Sequence, residues 1–114
     1  MNAENKNSFS MNSAIDYLKD VDPSLSELLN SFQIEQLKPE RNYFKSLSRS
    51  VIYQQLSTKA AKKITERFVN IFKDNSYPTP YDVIKTDKFI LKSVGLSKSK
   101  VEYIYNIAEK FIHE

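Results

Sequence analysis

The stretch VIYQQLSTKAAKKITERF, residues 51–68, decides the fold class. Apolar residues recur every three or four positions on both sides of QQLS, which is the period of an α-helix with one buried face. One helix is expected to end near Gln54-Gln55. Ser57 is a preferred N-cap residue and is expected to start the longest helix of the chain. The inner face of that helix is predicted to carry Ala61, Ile64, Phe68, Ile71 and Phe72.

Capping residues and prolines predict helices on both sides of this stretch. Asp22-Pro23 supplies an N-cap and a first-turn proline, Thr79–Asp82 matches a capping box, and Gly95 is placed to stop a helix. Helix starts are expected at Ser13, Asp22, Ser57, Thr79, Thr86 and Ser97. No alternation of strand period occurs. The sequence therefore predicts an all-α fold, a compact bundle of about six or seven helices.

The predicted helix stripes also give a core and a division of the chain. Residues 1–12 are polar and are expected to form a flexible tail, residues 13–114 one domain, and residues 33–41 a connection that Pro39 keeps from being helical. The residues expected in the core are Leu28, Phe44, Leu47, Val51, Ile64, Phe68, Leu91, Ile104 and Ala108.

Composition excludes several kinds of site. The chain has no cysteine, one glycine and one histidine, which argues against a thiolate zinc site, a phosphate-binding glycine loop and a Ser-His-Asp triad. We therefore expect neither a thiolate nor a multi-histidine metal site in this sequence. The absence of cysteine fits an intracellular protein. The polar start argues against a signal peptide, and the lack of a long apolar run argues against a membrane partner.

Positive charge is concentrated in the middle of the chain. Residues 57–100 carry ten Lys or Arg against four Asp or Glu, although the whole chain has a net charge of only +3. A basic segment favours a polyanion as partner. On charge alone, lysines that merely solvate helix faces are the more common explanation.

Two motifs carry a resemblance to a known family. The first is Gln54–Ser57 followed by Ala60-Ala61, and the second is Gly95-Leu96-Ser97 followed by Lys100, Tyr103 and Ala108. In this order and in a helical setting, they resemble the opening half of the 3-methyladenine DNA glycosylase II group, within the helix-hairpin-helix DNA glycosylases. The resemblance covers residues 13–112.

The resemblance implies base-excision repair by hydrolysis of the N-glycosidic bond of damaged purines such as 3-methyladenine, with no metal and no cofactor. Its implied partner is double-stranded DNA with alkylated bases, and its implied location is the cytoplasm of a prokaryote or the nucleus of a eukaryote. In the family, a glycine-rich hairpin and a catalytic aspartate follow the Gly-Leu-Ser motif. This sequence has no second glycine and no aspartate after Asp87. We therefore expect no catalytic residue in this chain, an inactive 114-residue protein, and a missing carboxy-terminal half as a candidate partner.

The predicted DNA-binding residues form one turn between two helices: Gln54, Gln55, Leu56, Ser57, Thr58 and Lys59. Extruding a base leaves a gap in the duplex, and a side chain such as Gln55 or Leu56 can fill it. The start of a helix at Ser57 favours a phosphate. The structural alternative makes Leu56 a core residue and the glutamines and Ser57 ordinary caps. Lys98 and Lys100, at the start of the last helix, are weaker candidates for a phosphate contact.

Two other functions stay open from the sequence. One is a helical DNA-binding or adaptor module without catalysis. The other is a helical protein-interaction domain whose lysines only solvate its surface.

Overall fold

The chain folds into helices that pack around its last helix. The computed structural model describes residues 3–27, 29–30 and 42–113. No strand occurs in these ranges, which confirms the all-α prediction. The α-helices with defined bounds are α1 (Ala3–Val21), α2 (Tyr43–Tyr53), α3 (Thr58–Asn70), α4 (Pro80–Lys85), α5 (Lys88–Ser93) and α6 (Lys98–His113). Short 3-10 segments cover Pro23–Leu25 and Lys73–Asn75.

Helix α6 is the centre of the packing and contacts α1, α2, α4 and α5. Its apolar stripe explains this position, because Ile104, Ile107 and Ala108 recur at helical spacing and are fully buried. Most residues predicted for the core are buried: Phe44, Leu47, Val51, Phe68, Leu91, Ile104 and Ala108. Ile64 is half-buried and packs against this core. Leu28 and the predicted connection at residues 33–41 lie outside the described residues.

Helix α1 differs from the prediction at its start. The helix begins at Ala3 rather than at Ser13, so the segment expected to be a tail is helical from Ala3 onward. Met11 contributes to the longer helix, because it lies three and four positions before Ala14 and Ile15 and extends their buried stripe by one turn. With 19 residues, α1 is also longer than α3, which has 13 and was expected to be the longest helix.

Most predicted caps form, and one is displaced by a single residue. The capping box is present, because the Thr79 hydroxyl accepts the amide of Asp82 at 3.2 Å and the Asp82 carboxylate accepts that of Thr79 at 3.0 Å. Asp87, not Thr86, caps α5 and accepts the amide of Phe89 at 2.8 Å. The Thr86 hydroxyl instead donates to the carbonyl of Asp82 at 2.8 Å and closes α4. A carboxylate is the better N-cap group, and the threonine is already engaged.

A buried polar contact joins α2 to the loop before α4. The hydroxyls of Ser48 and Tyr77 are hydrogen-bonded at 2.6 Å, and the Ser48 hydroxyl also donates to the carbonyl of Phe44 at 2.7 Å. Burial raises the pKa of Tyr77 to about 12, and the Ser48 hydrogen bond and the charge of Arg49 oppose the rise only in part. The contact ties the loop that follows α3 to the first helix of the Gln-Gln-Leu-Ser motif.

Candidate nucleic-acid interface

The predicted site is a tight turn between α2 and α3. Gln54 ends α2 with an extended backbone at φ −60° and ψ 127°, and Gln55 takes the left-handed conformation at φ 63°. Ser57 then starts α3, and its hydroxyl accepts the amide of Ala60 at 3.2 Å. A left-handed residue other than glycine is uncommon, and such residues are enriched at functional sites. The chain thus passes from α2 to α3 through four residues, with Gln55 at the apex of the turn.

The side chains at the apex face solvent. Gln55 and Leu56 are both exposed, and Leu56 keeps 39% of its surface accessible. Ser57, Thr58 and Lys59 are exposed as well, whereas Gln54 is half-buried. The structural alternative required Leu56 to close the helix pair as a core residue. Its exposure is far from that of a core leucine such as Leu47, which is fully buried.

Helix α3 begins with features that suit an anion. The amides of Thr58 and Lys59 lie in its first turn, where helix geometry provides no backbone acceptor. Lys59, Lys62 and Lys63 are exposed along the same helix, so the positive end of the helix dipole and three cations lie on one element. A backbone phosphate is the kind of ligand that such a helix start can bind.

A lysine of α6 forms hydrogen bonds with the backbone at the start of the turn. The Lys100 Nζ donates to the carbonyl of Ile52 at 2.8 Å and to that of Gln54 at 2.6 Å. Burial lowers the pKa of the Lys100 ammonium. This contact corrects the weaker sequence prediction that Lys100 contacts a DNA phosphate, because its ammonium faces protein carbonyls. The sequence contained one signal for it, namely the lysine of the Gly-Leu-Ser-x-x-Lys motif.

A cleft of about 230 Å³ adjoins the turn. Its walls come from the 3-10 segment, the end of α2 and the start of α6, and they include Asp22, Gln54, Gln55, Ser97 and Lys100. Among the residues that the structure describes, Asp22 is the one carboxylate that lines it. The Asp22 side chain already accepts the amide and the hydroxyl of Ser24 as an N-cap. Its geometry is that of a capping residue.

The aromatic residues weighed as a base-stacking platform divide into two kinds. Phe68 and Phe72 lie in the core, with their ring centroids 5.4 Å apart in an edge-to-face arrangement. Tyr103 and Tyr105 are half-buried on α6, and the Lys88 Nζ lies 4.3 Å from the ring centroid of Tyr105. All four rings therefore have protein neighbours or are partly covered, as their helical spacing predicted.

Two kinds of feature are absent from the described part of the chain. In residues 3–27, 29–30 and 42–113, no three His, Asp or Glu side chains converge in a way that could hold a metal ion. No helix within those ranges is long and apolar enough to cross a bilayer.

The fold and the site together define the class of this protein: it is an all-α domain with an exposed polar turn between two packed helices. The chain belongs to the HhH-GPD superfamily of base excision DNA repair proteins, whose family model matches residues 48–113. The matched segment begins within α2 and ends in α6, so it contains both the turn and the lysine beneath it.

Two relatives from Schizosaccharomyces pombe (strain 972 / ATCC 24843) are similar over most of this chain. DNA-3-methyladenine glycosylase 1 is 31% identical over 88 residues, which are 77% of this chain and 39% of that protein. Alkylbase DNA glycosidase-like protein mag2 is 31% identical over 77 residues, which are 67% of this chain and 36% of that protein. The alignments thus span less than two fifths of each relative's length. No solved structure matches the chain significantly.

Proposed function

We propose that the protein acts in base-excision repair of alkylated DNA, as part of an enzyme that hydrolyses the N-glycosidic bond of damaged purines such as 3-methyladenine. The observation that carries the proposal is the exposed turn Gln54–Lys59 inside the segment that matches the repair family. The names of the two relatives support an alkylated base as the substrate. The proposed partner is double-stranded DNA, and the protein is accordingly DNA-associated.

The turn would contact DNA that has lost the stacking of one base. Unstacking a base costs a few kcal/mol, and a side chain inserted from the minor groove offsets part of that cost. Gln55 is the first candidate, because its amide is flat, can hydrogen-bond neighbouring bases and sits at the apex of the turn. Leu56 is the second candidate, as an apolar wedge. Ser57, Thr58 and Lys59 would hold a phosphate at the start of α3.

The bond-breaking step is proposed to need residues from outside this sequence. Its 114 residues include no second glycine for a Gly-rich hairpin and no aspartate after Asp87. A carboxy-terminal half, in the same polypeptide or in a partner, would supply the hairpin and the aspartate. The 114-residue chain alone is therefore expected to release no base from methylated duplex above an enzyme-free control.

Binding measurements on the full 114-residue chain test the role of the turn. The probes are two labelled duplexes of the same sequence. One is intact, and the other, called the gapped duplex here, carries a tetrahydrofuran abasic-site analogue that leaves the space of one base empty. Wild type should prefer the gapped duplex. Gln55→Gly should lose this preference, whereas Asn70→Ala, at an exposed position at the far end of α3, should keep it. Glycine removes the amide and adopts φ 63° without steric cost, so the turn can keep its backbone conformation.

The phosphate contact has a separate signature. Lys59→Ala should weaken binding to both duplexes equally and reduce the salt-dependence slope by about 0.9, as the loss of one phosphate contact does. Equal affinity of wild type for the two duplexes would overturn the gap-filling role. If the protein binds both duplexes equally and no form of it releases a base, the non-catalytic DNA-binding module is favoured instead.

A further inference from the structure

We propose that Lys100 is the positioning residue of the DNA-facing turn: its ammonium fixes the end of α2 so that Gln55 is presented at the apex. The inference deepens the proposed function and rests on it for the role of Gln55. It does not depend on that function for the contact between Lys100 and the turn. Lys100 acts through the turn and does not touch DNA itself.

The first argument is the hydrogen bonding at the end of α2. A helix leaves its last four carbonyls without intrahelical donors. Here the Gln54 amide serves the carbonyls of Ser50 and Val51, and the Leu56 amide serves that of Tyr53. The Ile52 carbonyl receives the Lys100 ammonium at 2.8 Å. Lys100 thus supplies a donor for the one carbonyl in this set that the turn's own amides do not serve.

The second argument is where the other hydrogen bond goes. The Lys100 Nζ also reaches the Gln54 carbonyl at 2.6 Å, and this carbonyl belongs to the peptide unit that leads directly into Gln55. Gln55 has a left-handed backbone, which a residue with a side chain adopts only when its surroundings hold it there. A charged donor on the preceding carbonyl limits rotation of that peptide unit and helps to hold the conformation.

The third argument is electrostatic. Lys100 lies in the first turn of α6, where a positive charge is unfavourable, because the helix dipole is positive at that end. Its ammonium instead reaches the end of α2, where the dipole is negative and a cation is stabilising. Burial also lowers its pKa, so the carbonyls of the turn replace part of its hydration. The end of α2 is therefore a more favourable place for this ammonium than the start of its own helix.

The test compares Lys100→Met with Lys100→Arg and with Lys92→Met, which removes an exposed lysine from α5. Lys100→Met removes both hydrogen bonds of the ammonium. It should lower the preference for the gapped duplex at least about tenfold, because the loss of even one charge-assisted hydrogen bond has an effect of that size. The salt-dependence slope should not change, because no phosphate contact is lost. Lys100→Arg keeps the charge and several donors and should restore part of the preference, and Lys92→Met should resemble wild type.

Amide hydrogen exchange adds a readout that does not involve DNA. In Lys100→Met, the Leu56 amide should exchange faster while amides in the middle of α6 keep their protection. A drop in salt slope for Lys100→Met would mean that Lys100 contacts phosphate and would overturn the proposal. Unchanged gap preference together with unchanged Leu56 exchange would overturn it as well.

Two further outcomes keep the test decisive. If wild type shows no gap preference, the proposed function fails, and Leu56 exchange still decides whether Lys100 holds the turn. If Lys100→Met does not fold, nitrogen-15 NMR of the wild-type Lys100 ammonium replaces it. The resonance should show slow proton exchange and stay in place when gapped duplex is added. Its transfer to a phosphate, seen as a coupling to phosphorus, would refute the positioning role.

Discussion

Replacing Leu56 with alanine tests whether the apex of the turn is a surface element or part of the core. Leu56 follows the left-handed Gln55 and keeps 39% of its surface exposed. If the turn is built to meet DNA, Leu56 contributes little to folding. If it closes the pair of helices, its truncation leaves a cavity.

The expected size of the effect follows from exposure. Alanine lacks three of the side-chain carbons of leucine, which at about 0.8 kcal/mol each corresponds to about 2.4 kcal/mol for a fully buried side chain. Since 39% of Leu56 is exposed, about 1.5 kcal/mol of the free energy of unfolding is at stake. The site opens to solvent, so no closed cavity adds to it. Leu47, by contrast, is fully buried in the core. Leu47→Ala should therefore lower the free energy of unfolding by roughly 2–5 kcal/mol.

Urea denaturation followed by circular dichroism gives both free energies of unfolding, and the two duplexes give the binding side. Leu56→Ala should lose clearly less stability than Leu47→Ala. A wedge role for Leu56 adds that the variant should also lose part of its preference for the gapped duplex. A stability loss as large as that of Leu47→Ala would refute the surface assignment, and with it the use of Leu56 as a wedge.

Two other predictions concern contacts of α2 and α3, the helices on either side of the turn. Tyr77 holds its proton more tightly when folded, with a pKa of about 12, than an unfolded chain does at about 10. The stabilisation is therefore fully present below about pH 10 and declines by roughly 2–3 kcal/mol between about pH 10 and 12. Tyr77→Phe should lack this decline in urea titrations, and parallel pH curves for the two proteins would contradict the assignment. Gly95→Ala should cost about 1–3 kcal/mol of unfolding free energy, because φ is +110° and the new Cβ would lie 3.2 Å from Cγ1 of Ile64. Lys92→Ala, at an exposed position nearby, is its control, and equal stability of the two variants would show that the glycine is not required.

Features that depend on a few neighbouring residues could be predicted from the sequence. The capping box at Thr79–Asp82 and the cap at Ser57 are formed as predicted, because each is complete within four residues. The stop at Gly95 is also local, since only its own backbone angle is involved. The apolar stripes of α2 and α6 identified the core for the same reason, as helix period alone decides which side chains share a face.

Features that depend on packing could not be predicted in this way. Met11 is an apolar residue next to a polar segment, and its burial in the core depends on packing that the local sequence does not reveal. The contacts of Lys100 with Ile52 and Gln54 span 48 and 46 positions of sequence. No local rule connects residues so far apart. A lysine at the start of a helix looks like an anion-binding residue until the neighbouring helix end is in place.

The two sequence motifs form one structural unit, and this changes what the second motif is for. Gly95 lies against Ile64 of α3. A Cβ added to this glycine would lie 3.2 Å from Cγ1 of Ile64. Five residues further on, Lys100 holds the end of α2. The Gly-Leu-Ser-x-x-Lys segment therefore touches both helices that flank the turn, one through a close approach that glycine allows and one through a charge. Because Ile104 and Ile107 anchor α6 in the core, these contacts fix the turn relative to the buried centre of the fold. A DNA-contacting residue on a loop needs such a reference, since a gap in a duplex can be filled only by a side chain that is already in place.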